Sequence, residues 1–222
     1  MRAFTVVEAE QRSPEWFAAR LGRLTGSRAA DMLATIKSGE AAARRDLRMQ
    51  LVCERLTQTV QEDGFVSAAM QRGIDCEPLA FAAYEADTGQ VVQRSGFCAH
   101  NTLAIGCSLD GHIEDFEGIL ECKCPKSATH LRYLKGGVVP AEYLPQITHN
   151  LWVTGAQWCD FVSFDDRFPP PLQFFRVRVE WDEKAIDEYA AKAAVFLAEV
   201  QTECEAVRTM TNLKAVLTEA VA

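Results

Sequence analysis

"SLDGHIEDFEGILECKCPK", residues 108–126, decides the fold class of this chain. Apolar and polar residues alternate on either side of Asp115-Phe116-Glu117-Gly118, the pattern of two short strands joined by a tight turn. That turn makes an antiparallel hairpin pairing Glu114 with Ile119, His112 with Glu121 and Asp110 with Lys123. Side chains alternate along a strand, so Glu121 and Lys123 share one face while Leu120, Cys122 and Cys124 take the other. Asp110 then stands opposite Lys123 and diagonal to Glu121, at about 5 and 7 Å. Ile105, Leu109, Ile113, Ile119 and Leu120 mark the hairpin as interior, where like charges destabilise unless a cation neutralises them. The alternative is an exposed ion-pair ladder contributing at most about 1 kcal/mol.

Two carboxylates beside an ammonium suit phosphodiester hydrolysis. Carboxylate oxygens hold Mg²⁺ with several of its waters kept, with Mn²⁺ as a substitute. Such an ion lowers the pKa of bound water and shields the charge that builds on the phosphoryl group. Lys123 would orient the attacking water or take its proton.

Outward from the hairpin, VVQRSGFCA and LAIGCSL read as further strands, as do WCDFVSF and LQFFRVRVEW with Pro169-Pro170-Pro171 between them. Ser13-Pro14-Glu15 opens a short helix that Gly22 ends, and Thr25-Gly26-Ser27 precedes a second, with Ser27 at its start. A longer helix spans 41–60, and another runs from about Asp75 to Asp87 and stops at Gly89, with Pro78 in its first turn. Helices follow at about 127–135 and 141–154. In a long closing helix Ile186, Tyr189, Ala193, Phe196, Leu197 and Val200 repeat at helical spacing. The expected fold is α/β (α+β), a central mixed sheet flanked by helices. A single domain over 1–222 is expected, with a motif-bearing core at 14–165 and a C-terminal helical segment at 180–222.

No run of eighteen apolar residues occurs and the N-terminal stretch carries acids, which predicts a soluble cytoplasmic protein. The eight cysteines include no Cys-x-x-Cys pair and read as small buried apolar residues. The net charge of −8 argues against a broad nonspecific nucleic-acid binder. That charge is uneven: residues 1–60 hold ten Lys/Arg against seven Asp/Glu, and Arg20, Arg23, Arg28, Lys37, Arg44, Arg45 and Arg48 fall within thirty residues. The remaining 162 residues hold thirteen against twenty-four. A local basic face on an acidic body and a set of solvated helix faces are both compatible with this.

Asp followed by Glu-x-Lys on adjacent strands resembles the PD-(D/E)xK nuclease superfamily, although Ser108-Leu109 stands where a proline usually precedes the acid. The motifs "WFAARLGRLTGSRAADML" (16–33), "RGIDCEPLAFAAYEADTG" (72–89), "GCSLDGHI" (106–113), "LECKCP" (120–125) and "QITHNLWVTG" (146–155) resemble, in that order, the phage lambda-type exonucleases. The resemblance covers roughly residues 14–165 and implies a restriction-endonuclease-like core. It implies Asp110, Glu121 and the backbone carbonyl of Cys122 as metal ligands, Glu77 reaching the site directly or through water, Lys123 as the water-activating lysine and Gln146 beside it. It further implies Arg20 and Ser27 as binders of a terminal 5′-phosphate, Ser108 near the scissile phosphate, Lys37 facing DNA and Met70 as an apolar wedge at the duplex end. A phosphate at a helix N-terminus gripped by an arginine agrees with the physics of anion binding.

The implied activity is Mg²⁺-dependent 5′→3′ degradation of one strand of double-stranded DNA, leaving 3′ single-stranded tails for recombination by strand annealing. The implied assembly is a homotrimer ring with a single-strand annealing protein as partner. Alternatives are a restriction- or repair-type endonuclease with the same metal site, and a non-catalytic DNA-binding or assembly module. Structural readings stand beside these roles. Glu77 can be a first-turn acid favoured by the helix dipole, Gln146 and Asn150 a surface pair, His112 and His149 packed histidines, and Trp152 and Trp158 core residues.

Overall fold

In the computed structural model residues 2–61 and 67–219 are described, the last helix beyond residue 210 by its backbone alone. Two mixed sheets form, where one was expected. The first joins β1 (Phe4–Val7), β2 (Leu24–Thr25), β4 (Phe97–His100) and β5 (Ile105–Ser108) in the order β1-β4-β5-β2. The second joins β3 (Val92–Gln93), β6 (Gly111–Ile113), β7 (Gly118–Lys123), β8 (Trp158–Phe164) and β9 (Phe174–Glu180) in the order β3-β6-β7-β8-β9. VVQRSGFCA, expected as one strand, divides between the sheets at Gly96. A side chain at Gly96 would meet the Val7 carbonyl oxygen at 1.9 Å, so the glycine lets β4 lie directly against β1. The chain crosses from the first sheet to the second between Ser108 and Gly111, and Asp110 sits at that corner.

The hairpin register also differs from expectation. Gly111 pairs with Leu120, His112 with Ile119 and Ile113 with Gly118, closing the turn over 114–117. Glu114 and Phe116 take left-handed backbone angles there, with φ of 50° and 65°, which lets the turn close one residue earlier. Each partner moves by two positions, so every side chain keeps its face. β7 runs parallel to β8, with Glu121 beside Phe161 and Lys123 beside Ser163.

Helix α1 (Pro14–Arg20) is capped by Ser13, whose side chain accepts from the Trp16 N–H. Ser27 lies within a three-residue 3₁₀ turn, Gly26–Arg28, ahead of the four-residue α2 (Ala29–Met32), so it does not open a full helix as expected. α3 (Ala42–Thr57) matches its expectation, whereas α4 (Ala68–Thr88) begins about seven residues early, capped by Ser67. Pro78 therefore lies in mid-helix, where its missing N–H leaves the Ile74 carbonyl without a helical donor, on the exposed side of the helix. α5 (Ser127–Gly136), α6 (Leu144–Thr154) and α7 (Glu183–Glu219) complete the layer of helices.

One core gathers Leu47 and Leu51 of α3, Ile147 and Leu151 of α6 and the Tyr189, Ala193, Phe196 and Val200 stripe of α7 over Ile105, Ile119 and Phe161. A second packs Ala80, Phe81 and Tyr84 of α4 on Ile113, Leu120, Trp158 and Val162. The β7 alternation read from sequence separates these two cores: Ile119 faces the first and Leu120 the second. Trp158 is buried and Trp152 packs against the first core, as expected. Six of the eight cysteines are buried, Cys124 is half-buried and Cys53 is exposed. Among the described residues no helix is long and apolar enough to cross a membrane.

Candidate active site

Glu121 is the most deeply placed acid of this group, 1% exposed in the middle of β7. Its Oε2 accepts from Gln146 Nε2 at 2.8 Å and from Asn150 Nδ2 at 3.4 Å, both one turn apart on α6. The pair therefore faces the site, correcting the surface-pair reading. Its Oε1 is buried without a hydrogen bond and meets the Lys123 ammonium as an ion pair. Lys123 Nζ also lies 3.7 Å from Asp110 Oδ2 and 5.5 Å from the centre of the Tyr143 ring. Asp110 is fixed by the Cys122 N–H, which donates to its Oδ2 at 2.7 Å.

Burial raises the Glu121 carboxyl to about 7, with Asp110 adding to the rise and Lys123 opposing it. For Lys123, burial acts to lower the ammonium's pKa, but the Glu121 and Asp110 carboxylates more than offset it and the group is held protonated. Glu77 is raised by burial and by Asp110, against the pull of Arg94, whose guanidinium lies 2.8 Å from its Oε1.

Of these groups Glu77, Asp110, Cys122, Lys123 and Tyr143 line a cleft of about 330 Å³, with Met70, Ile74 and Arg12 among others. Met70 is 46% exposed in the first turn of α4 and contributes an apolar wall. Ser108 is tied to α1: the Trp16 indole N–H donates to its Oγ at 2.9 Å. Arg20 stacks on the same indole, its guanidinium carbon 4.1 Å from the ring centre. Arg20, Thr25 and Arg28 line a separate, smaller pocket, and Ser27 is exposed in the adjoining turn with its Oγ 3.4 Å from that of Thr25. Lys37 sits exposed in the loop between α2 and α3 and is not among the residues lining the cleft.

Gly26 joins the two regions. A side chain there would meet Asn150 Oδ1 at 2.2 Å and Gln146 Cγ at 3.5 Å, so only glycine allows the turn to rest against the face of α6 that holds Glu121.

Asp110 and Glu121 converge on one cation, the Lys123 ammonium, which pairs with the buried Glu121 Oε1. Among the described residues no three His, Cys, Asp or Glu side chains gather into a closed metal-binding group, and the Glu77 carboxylate is paired with Arg94. A donor set of two carboxylates and a backbone carbonyl fits a hard ion that keeps several waters, as Mg²⁺ does. His112 and His149 are held away from such a role. His112 bonds the Glu114 carbonyl at 2.9 Å and stacks on Phe116, while His149 bridges the Tyr189 hydroxyl and the Gly106 carbonyl. The sequence reading did not single out Arg12 or Tyr143, and it left Asn150 on the surface. Only Asn150 carried a signal, its spacing of one turn from Gln146.

A family model described as a YqaJ-like viral recombinase domain matches residues 15–157. The chain belongs to the YqaJ-like viral recombinase family. The alkaline exonuclease LHK-Exo from Laribacter hongkongensis is 41% identical and superposes with a TM-score of 0.81 over 90% of this chain and 98% of that one. A second structure of LHK-Exo, in complex with dAMP, gives the same identity and TM-score and is covered in full. A phage-related exonuclease from Haemophilus somnus shares the fold at 14% identity, with a TM-score of 0.62 over 85% of this chain and 96% of that one. No curated protein matches the chain significantly. The family match includes Asp110, Glu121, Lys123 and Gln146, so the convergent acids belong to its domain.

Proposed function

We propose that this chain is a metal-dependent nuclease that degrades one strand of double-stranded DNA 5′→3′ from its ends, leaving 3′ single-stranded tails for recombination by strand annealing. The observation that carries the reading is the convergence of Asp110 and Glu121 on Lys123 at an open cleft, in a chain 41% identical to an alkaline exonuclease. Asp110, Glu121 and the Cys122 carbonyl would hold Mg²⁺, or Mn²⁺ in its place, with Glu77 reaching it directly or through water. Bound there, the ion would acidify a water and neutralise charge on the phosphoryl oxygens.

The chain's own groups supply the rest. Gln146 and Asn150 hold the Glu121 carboxylate in one orientation, so its other oxygen stays on Lys123. Lys123 lies beside two carboxylates that raise its pKa. There it would orient the attacking water or take its proton, and stabilise the charge that develops on phosphate. Ser108 places a hydroxyl beside the Asp110 corner, and Trp16 holds that hydroxyl. Arg20, stacked on Trp16, would grip a terminal 5′-phosphate beside Ser27. Met70 would stack against the last base pair as a wedge, and Lys37 would face the backbone of the duplex.

A homotrimer ring around DNA and a single-strand annealing partner complete the proposal. Encirclement would keep an acidic protein on DNA without a broad basic surface. The deciding experiment offers closed plasmid circles, 5′-phosphorylated linear duplex and 5′-hydroxyl linear duplex to the protein with Mg²⁺. Loss of linear DNA with circles intact, fastest from 5′-phosphate ends, is the expected result. Cutting of closed circles would overturn it in favour of an endonuclease.

A further inference from the structure

The turn ahead of α1 carries a cation that the reaction above leaves unused. The Ser13 N–H donates to the Glu10 carbonyl at 3.0 Å, closing a turn in which Arg12 takes a φ of +71°. This is the left-handed region, where glycine is at ease and a side chain is strained. The turn is not loose. Ser13 caps α1, α1 carries Trp16, and Trp16 bonds Ser108 next to the Asp110 corner, so Arg12 has a fixed place relative to the acids. Arg12 lines the cleft with Glu77, Asp110, Lys123 and Tyr143.

The charge balance of the cleft gives that placement meaning. Lys123 is engaged by Glu121 and Asp110, and Arg94 is engaged by Glu77. Arg12 is exposed and has no ion pair or side-chain hydrogen bond among the described residues. A strained residue type kept beside an active cleft, with its charge unspent, points outward to a ligand. Arg20 lines a different pocket, so the two arginines address different parts of a bound strand.

Resting on the nuclease reading, we propose that Arg12 contacts an internal phosphodiester of the DNA lying across the cleft, separate from the terminal-phosphate anchor. The test measures equilibrium binding of 5′-phosphorylated and 5′-hydroxyl duplexes in EDTA, where no cleavage intervenes, against Arg12→Gly and Arg12→Gln. Arg12→Gly suits the backbone, so its Tm should equal or exceed that of wild type. Its affinity for both duplexes should fall about tenfold at low salt, with the salt slope of log K reduced by about 1. The preference for 5′-phosphate should not change. Arg12→Gln, which keeps the length of the side chain, should lose affinity alike. Variants that bind as tightly as wild type would overturn the inference and leave the nuclease reading intact. A selective loss of the 5′-phosphate preference would also overturn it, by moving Arg12 to the strand terminus. Failure of the wild type itself to bind duplex would sink the nuclease reading instead.

Discussion

Glu121 keeps a carboxylate where a neutral group would suit the fold better. It is buried, raised toward neutrality, and bonded through one oxygen to two amides while the other faces an ammonium. Burying a charge destabilises a fold unless its partners compensate in full. Glu121→Gln should therefore melt no lower than wild type at pH 8, since Lys123 is 26% exposed and retains Asp110. Activity should fall at least about a hundredfold, because a carboxamide binds a hard cation poorly. Calorimetry and a linear-duplex assay on the same preparation check both. A Tm lower by more than about 5 °C would mean that the pairing with Lys123 outweighs the burial. At this scale the sequence was informative: alternation along β7 put Glu121 and Lys123 on one face, and Asp110 meets them from the corner between β5 and β6. The two-residue error in register did no harm, because a shift by an even number preserves the face. Arg12 was illegible for the opposite reason. Its position comes from a left-handed turn and a helix packed across the sheet, and neither leaves a periodic trace.

Between elements, the contact of the Gly26 turn with α6 couples the two halves of the site. Gly26→Ala should displace Asn150, destabilise the protein by about 1–3 kcal/mol and slow the reaction. Asn150→Ala should add little further loss in that background, because the displaced amide has already left Glu121. Additive losses in the double variant would show that the turn and the helix act independently. The same helix carries a pH-sensitive contact. Burial lowers the His149 pKa to about 4 from an ordinary 6.5, opposed by its bond to the Gly106 carbonyl. Between those values the unfolded chain binds a proton that the folded one refuses. Stability is therefore lost as pH falls through this window, by at most about 3 kcal/mol from this residue. Urea unfolding from pH 7 to 4.5 should show a steeper decline for wild type than for His149→Gln. Equal slopes would assign the acid sensitivity elsewhere. The element boundaries were legible where caps punctuate the chain, as at Ser13 and Gly89. They were not where tertiary packing overrode a local rule: α4 runs through Pro78 because Ala80, Phe81 and Tyr84 bury against the second sheet.

Across the whole molecule the question is how a chain of net charge −8 holds a polyanion. The count of basic residues overstates what is free to meet DNA. Arg44 and Arg48 are bound to Glu40, Glu199 and Glu203, Arg176 and Arg178 to Asp160, and Arg72 and Arg167 to Asp165. Arg23 bonds to the carbonyls of His100, Leu103 and Ile105. Of the basic cluster read between residues 20 and 48, much is thus spent in holding α3 to α7 and the first sheet together. Among the described residues, exposed cations without an ion pair include Arg12 at the cleft, Lys37 and Lys126. Each phosphate neutralised contributes about −0.9 to the slope of log K against log salt on duplex DNA. Three or so contacts predict a slope of about −2 to −4, well short of that expected for an extended basic surface. The measurement is duplex binding in EDTA from low to moderate salt, at protein concentrations where light scattering has fixed the oligomer. A slope steeper than about −6 would require more cations than this local set, and the local-charge account of DNA binding would fail.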